Sequence, residues 1–252
     1  MKTRPAVPRL LRSDASTTGP ASSAIDSAAG NVYQWFVKCI VTAGPTFEEL
    51  DEVRRLTNAS TGRLGIGLAE YLTAQGHAVT LLVGEHSTWA GERKAGHMRT
   101  FTTSEVLLKH VSSLASQSVD AVFHAAAVGD FSFGRIFKRE GPSRLRELRS
   151  RKIPTQTKHL LAELVPTTKV ISHLRRLFPK ARIVGWKFEV DGDRQSALAK
   201  GRKQIAENQI DACVVNGPAY GRGFGLVSDA GHSRPIGSRE RLYAVLNAFI
   251  VR

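Results

Sequence analysis

The chain has 252 residues, 42% of them hydrophobic, two cysteines and a formal net charge of +14. That length is enough to bury one substantial core, and no apolar run reaches the roughly 20 residues a membrane span requires. The thiols, Cys39 and Cys213, both lie in apolar, strand-like runs, which favours buried reduced cysteines in a cytoplasmic protein over a disulfide or a metal site.

Residues 1–34 are rich in Ser, Ala, Thr and Pro without helical or strand periodicity, and read as a disordered leader. Arg with Ser faintly resembles a transit peptide, but Asp14, Asp26 and the lack of an amphipathic pattern weigh against it. A single ordered domain is expected over 35–252, opening with a strand from Phe36 to Thr42. A polar connection follows from about Ala43 to Thr61, far longer than the usual 2–6 residues of a βα loop. In a parallel sheet such loops lie at the carboxyl ends of strands, where nucleotides and their substrates bind, so this stretch is taken as the floor of an active site.

The next helix is expected to start near Ser60 or Thr61, whose hydroxyl would cap it. Leu64, Leu68, Tyr71 and Leu72 recur at helical spacing, and Gly76 ends the helix. "AVTLLVG" then completes a βαβ unit. Further along, "MRTFTTSEVLLKHVSSLA" reads as a strand and a helix opened by Thr103 or Ser104, and "DAVFHAAAV" as a buried strand. A helical segment broken by Pro166 comes next, then a strand in "ARIVGWKFEV", a helix from Asp193 to Asn208 and a strand in "DACVVNG". A short strand at Gly225 to Ser228 and a closing helix from Ser238 to Val251 finish the chain. The alternation predicts an α/β fold, a doubly wound, mostly parallel Rossmann-like sheet with helices on both faces.

Residues 134–180 hold thirteen Lys/Arg against three Asp/Glu, so most of the basic excess is one region. Part of it, about 134–151, reads as a basic insertion. A solvated surface, steering of anionic substrates and attraction of nucleic acid are all open to such a field. Two features suit an anion more directly. The Ser60-Thr61-Gly62 turn precedes a helix whose dipole and free N–H groups favour negative charge, although "GRLGIG" lacks a dinucleotide fingerprint and its glycines equally serve close helix-on-sheet packing. Lys187, inside an apolar strand, needs an anionic partner, either a bound phosphate or Glu189 or Asp191.

In order and spacing, "VTAGPT", "LDEVR", "LTNASTG" and "LGIGLAE" resemble the phosphopantothenate–cysteine ligases of coenzyme A synthesis. "HAAAVGDF", "RKI", "LAELVPT", "PKARIVGWKFEVD", "CVVNG" and "GRGFGLVSD" extend the likeness over about residues 36–251. The resemblance implies that 4′-phosphopantothenate attacks the α-phosphate of CTP or ATP, carried with Mg²⁺, and that cysteine then takes the acyl group. It places Asn58 and Lys152 in catalysis, with Asn58 and Asn216 on the substrate. Gly44, Pro45, Thr46, Ser60, Thr61, Gly62, Ala126, Ala127, Asp130, Lys187 and Phe224 fall to the nucleotide and its phosphates. Asp51 and Arg54 brace the loop as an ion pair, no resident metal ligands are assigned, and a homodimer without membrane or nucleic-acid partners is implied.

The likeness frays at "RKIPTQTK", where the fused enzymes carry Lys-x-Lys-Lys, so part of the phosphate neutralisation must come from elsewhere. Lys138, Arg149 and Arg151 are candidates, and Lys200 and Lys203 stand where Asn208 replaces a basic residue. No flavin-dependent decarboxylase half precedes the domain, which favours the stand-alone ligases. Two other readings stay open: a degenerate, basic nucleotide or nucleic-acid binder, and an NAD(P)-dependent oxidoreductase, for which Glu85 is the one candidate ribose ligand.

Overall fold

The computed structural model describes residues 36–228 and 232–251, so the leader expected over residues 1–34 lies outside the described residues. Within Trp35–Arg252, one compact unit, the chain runs β1 (Lys38–Ala43), β2 (Phe47–Glu49), β3 (Arg55–Thr57), α1 (Arg63–Ala74), β4 (Ala78–Gly84), β5 (His97–Phe101), α2 (Ser104–Ser113) and β6 (Ala121–His124). It continues through β7 (Phe131–Arg139), β8 (Leu145–Leu148), β9 (Leu160–Pro166), α3 (Ile171–Leu177), β10 (Arg182–Phe188), α4 (Arg194–Asn208), β11 (Ala212–Asn216), β12 (Phe224–Ser228), β13 (Ser233–Ile236) and α5 (Arg239–Ile250).

Eight strands form the main sheet in the order β13-β12-β11-β10-β6-β1-β4-β5. The six from β5 to β11 are parallel, and β12 and β13 add an antiparallel edge. Strand alternation divides the core between the two faces. In β1, Cys39, Val41 and Ala43 pack with Leu68 and Leu72 of α1 and Leu242 and Leu246 of α5. Ile40 points the other way, toward Leu107 of α2, Leu174 of α3 and Ile205 of α4. Both faces of β1 are therefore dry, which is why the strand is apolar almost throughout. Both cysteines are free and buried, and burial lifts each thiol to about 12.

Helix ends follow local chemistry where a hydroxyl or carboxylate is suitably placed. Thr103 caps α2 by accepting from the Val106 N–H, Asp193 and Ser196 form a reciprocal capping box on α4, and Ser238 caps α5. For α1 the expected hydroxyl cap is not used. Its N-cap is Gly62, in the left-handed region with φ 80 and no side-chain cap, because this turn is pressed against Ser87.

Pro166 does not break a helix. "LLAELVP" is β9, paired antiparallel with β7, which pairs with β8 on its other edge to make a separate three-stranded arm. Residues 134–151, read from the sequence as a basic insertion, contribute most of β7 and all of β8 to that arm. The apolar residues of "LAELV" suit a helix by spacing, but the pairing with β7 supplies their backbone bonds instead.

Gly65 sets how closely α1 lies on β1: a Cβ there would come within 2.7 Å of Ala43 Cβ and 2.9 Å of the Thr42 carbonyl oxygen. Both obstacles belong to a central strand and cannot yield, so the helix would have to lift. Gly65→Ala is expected to cost about 1–3 kcal/mol, read as a lower urea midpoint, and an unchanged midpoint would show that α1 is not held at this distance.

Candidate active site

The sheet order reverses between β1 and β6, since β4 extends it on one side and β10 on the other. Loops leaving such a pair of strands turn to opposite faces and open a crevice at the carboxyl edge. Here the floor of the crevice is laced shut. Pro45 pairs with Ala127 as a parallel bridge, the Thr46 N–H donates to Ala127 O at 3.1 Å and the Ala127 N–H to Gly44 O at 2.9 Å. The Thr46 hydroxyl accepts from the Gly129 N–H at 2.8 Å, and the Thr57 hydroxyl donates to Thr46 O at 2.8 Å. Gly44, Pro45 and Thr46 are all buried. The turn expected to cradle phosphate is the structural seam of the cleft, and its one threonine has no N–H left for a ligand.

Asn58 stands on this seam. Its Nδ2 donates to the Ala127 carbonyl at 3.2 Å, the same oxygen that holds Thr46, while the side chain stays exposed. A second amide hydrogen and the Oδ1 acceptor remain for a ligand. The Ser60 N–H closes onto Asn58 O at 2.8 Å, so the asparagine is joined directly to the entry of α1. There the Ser60 hydroxyl accepts from Gly62 N–H at 3.4 Å and the Thr61 hydroxyl from Arg63 N–H at 3.3 Å. Among the described residues no acceptor meets the N–H groups of Leu64 and Gly65. Free donors and the helix dipole favour negative charge at this end of α1.

The long connection folds into the β2–β3 hairpin, with Asn58 at its base and Asp51 at its tip. The Asp51 side chain is nearly solvent-free (1% exposed) and ion-pairs with Arg54 at 3.4 Å. Its Oδ2 also accepts from the Ile153 N–H at 3.1 Å, and Arg54 donates to Ile153 O at 2.6 Å. Glu52 completes the clamp, its N–H bonding Arg151 O at 3.0 Å and its carboxylate pairing with the Arg151 guanidinium. The hairpin tip thereby holds the backbone on either side of Lys152, whose own side chain is exposed and has no ion-pair partner among the described residues. Asn58 and Lys152 are not in contact; the three-residue strand β3 separates them, about 10 Å of extended chain.

The other wall is formed after β6. That strand ends at His124, and Asp130, expected at a strand end, is exposed at the root of the arm, where its carbonyl accepts from the Thr167 N–H at 3.0 Å. Ala126 is fixed from beneath, since its N–H donates to the buried Thr42 hydroxyl at 3.1 Å, and that hydroxyl shares a 2.9 Å hydrogen bond with His124 Nδ1. Burial pushes His124 down to about 4, so it is neutral at physiological pH.

Farther along the same edge, Asn216 and Phe224 line an open cavity of about 630 Å³ with Arg222 and Arg239. From β6, the near wall of the crevice, to β11 is two strand spacings, about 10 Å. Lys187 has the internal partner weighed in the sequence, pairing with Glu189 at 3.6 Å, and Lys200 pairs with the other oxygen of Glu189. The candidate replacements for the missing lysines are largely spent: Arg149 pairs with Glu147, Arg151 with Glu52 and Lys203 with Glu207, while Lys138 lies on the arm beside Arg139, Lys158 and His159.

Sequence reading passed over Thr42, His124 and Ser87. A threonine and a histidine in otherwise apolar strands were a visible signal. Ser87 carried none, because only the fold places its side chain against Gly44 and Gly62.

A doubly wound sheet with a laced crevice at its reversal point and an uncapped helix entry beside it defines an α/β protein of Rossmann-like fold. The chain belongs to the family described as DNA/pantothenate metabolism flavoprotein C-terminal domain, which matches residues 37–234. It is 32% identical over 179 residues to the coenzyme A biosynthesis bifunctional protein CoaBC of Thermococcus kodakarensis, a match covering 71% of this chain and 41% of that protein. The chain thus spans less than half the length of that curated relative. Among solved structures it is similar to the DNA/pantothenate metabolism flavoprotein of Streptococcus pneumoniae, with TM-score 0.75 and 24% identity over 85% of this chain and 98% of that one. It is similar also to a Cab2 variant in complex with phosphopantothenate-cysteine, with TM-score 0.62 and 20% identity over 85% and 87%.

The Ile153 N–H holds the Asp51 carboxyl below the usual carboxylate range, ahead of smaller contributions from the Val53 and Arg54 N–H groups and the Arg54 charge and against the opposing effect of burial. The stabilisation from this depressed acid is complete above the usual carboxylate value and disappears as pH falls through the folded-state value. Amide exchange at Ile153 is expected to stay protected at neutral pH and to lose protection in that acid window. Asp51→Asn is expected to weaken protection already at neutral pH, and equal protection in wild type and variant would remove Asp51 from the clamp.

Proposed function

We propose that this chain is a phosphopantothenate–cysteine ligase using CTP or ATP. The observation that carries the reading is Asn58, bound through Ala127 O to the seam between β1 and β6 and through Ser60 to the entry of α1. An amide group there meets both requirements of the chemistry. It donates to a carboxylate without itself becoming charged, and it stands beside helix N–H groups suited to the α-phosphate. In the first step a carboxylate oxygen of 4′-phosphopantothenate bonds to the α-phosphorus while the bond to the bridging oxygen breaks, and the electron pair leaves on pyrophosphate. In the second, the cysteine amine displaces the nucleoside monophosphate. Both steps depend on holding anions at close range, so positioning and charge neutralisation supply most of the acceleration.

Relatives support the reading by the names they carry, CoaBC for one and a phosphopantothenate-cysteine complex for another. In this reading Ser60, Thr61 and Gly62 receive the α-phosphate region, while Gly44, Pro45 and Thr46 act from beneath by fixing Asn58. Ala126, Ala127 and Asp130 border the nucleotide, and Asn216, Lys187 and Phe224 serve from the β10–β12 side. Lys152 works from the clamped segment at the hairpin tip, delivered to the transferring phosphate as the cleft fills. No cluster of three His, Cys, Asp or Glu side chains occurs among the described residues, so Mg²⁺ would enter on the nucleotide's own phosphates. A second copy of the chain is the expected partner, for which the arm offers the exposed apolar residues Phe131, Leu145 and Leu164. No helix among the described residues is long and apolar enough to cross a membrane.

Purified protein given 4′-phosphopantothenate, cysteine, Mg²⁺ and either CTP or ATP is expected to form the amide and release one pyrophosphate per turnover. No product with any nucleotide would defeat the assignment, and running both nucleotides in parallel identifies the base. Asn58→Ala is expected to leave the fold intact and reduce kcat by about 100-fold or more, the scale for removing one preorganised donor; near-normal turnover would take Asn58 out of the site.

A further inference from the structure

The replaced lysine loop leaves a question of charge: pyrophosphate cannot leave without a cation, and Arg149, Arg151 and Lys203 are already paired. Arg55, at the start of β3, lies between "LDEVR" and "LTNASTG", two of the motifs that carry the family likeness, and belongs to neither. Its guanidinium rests over the ring of Phe47, 4.2 Å from the centroid, and donates to His86 Nε2 at 3.0 Å. His86 in turn stacks on Phe47, with centroids 4.6 Å apart. Phe47 is a core residue, 2% exposed, so the arrangement is anchored.

No carboxylate ion-pairs with Arg55 among the described residues, not even Glu49, which faces it across the hairpin. An exposed arginine next to acid is ordinary. An arginine fixed in place by an aromatic ring and an imidazole nitrogen, with most of its five donors unused, is shaped for an external anion. The residue after His86 gives the second indication. Ser87 is buried, 8% exposed, and its hydroxyl has no hydrogen-bond partner among the described residues. It sits under the entry of α1, where a Cβ on Gly62 would come within 2.9 Å of it. Arg93 holds the Ser87 carbonyl at 3.2 Å, which keeps this loop against the helix entry. A buried hydroxyl without a partner costs about 1–3 kcal/mol, a cost removed when an anion or its bound water reaches the α1 entry.

We propose that Arg55, positioned by Phe47 and His86, is the cation that receives the β- and γ-phosphates of the nucleotide, with the Ser87 hydroxyl supporting the same phosphates from beneath the α1 entry. The inference rests on the ligase reading and deepens it. Arg55 lies three residues before Asn58, about 10 Å of extended chain, which separates the leaving pyrophosphate from the acyl centre. The cationic role that the lysine loop surrenders is in this chain transferred to the hairpin.

The test is direct binding by calorimetry of inorganic pyrophosphate and, separately, of CMP and AMP, to wild type, Arg55→Gln and Arg55→Lys. Loss of a charged hydrogen-bonding group is expected to weaken pyrophosphate roughly 10- to 100-fold in Arg55→Gln, with the favoured monophosphate bound as in wild type. Arg55→Lys is expected to fall between the two, and it keeps the test alive if the glutamine variant does not fold. Pyrophosphate affinity unchanged in Arg55→Gln would overturn the proposal, as would equal weakening of both ligands, which marks a purely structural role. A wild type that binds neither ligand overturns the nucleotide cleft itself and this site with it. One that binds pyrophosphate through Arg55 yet forms no amide sustains the site while defeating the ligase assignment.

Discussion

One carbonyl organises the cleft. Ala127 O accepts both the Thr46 N–H and the Asn58 side chain, and so joins the loop after β1 to the loop after β6 at the point where the sheet reverses. Everything of functional interest is placed relative to that junction. The α1 entry follows from Asn58 through Ser60, the β2–β3 hairpin springs from Thr46 and returns at Thr57, and its tip grips the segment that carries Lys152. The seam in turn is possible because Gly44 takes a left-handed conformation against Ser87, which no side chain could share.

The hairpin explains why the connection after β1 is so long. A short loop would leave the helix entry beside the strand end, as in ordinary dinucleotide folds. The extra residues build a lever about one strand long, with the exposed amide of Asn58 at one end and a buried carboxylate clamp at the other. Such a clamp fixes backbone, not the lysine: Ile153 is 2% exposed while Lys152 is exposed. A mobile cation on a fixed anchor suits a group that must approach the transferring phosphate only after the cleft has filled.

Much of the fold was legible in the sequence. The buried strands β1, β4 and β10, and the helices α2, α4 and α5 with their Thr103, Asp193 and Ser238 caps, follow from apolar runs and capping chemistry that local physics reads directly. The arm was not legible, because "LLAELVP" satisfies a helical spacing and only its pairing with β7 makes it a strand. The same holds for the site. Asn58 and the α1 entry sit in recognisable motifs, whereas the Arg55–His86–Phe47 arrangement joins the β2–β3 hairpin to the turn after β4 and leaves no trace in either stretch of sequence. The turn of Gly44, Pro45 and Thr46 illustrates the limit in reverse: only the fold reveals that the Thr46 N–H is already taken by Ala127 O.

The central claim is that chemistry occurs at the β1/β6 seam, with Asn58 at the reacting carboxylate and the α1 entry at the α-phosphate. A crystal structure with 4′-phosphopantothenate and a non-hydrolysable nucleotide tests this most directly. The account predicts the carboxylate within hydrogen-bond distance of Asn58 Nδ2 and the α-phosphate on the N–H groups that begin α1. Ligands seated only in the cavity of Asn216, Arg222 and Arg239, with Asn58 untouched, would contradict it.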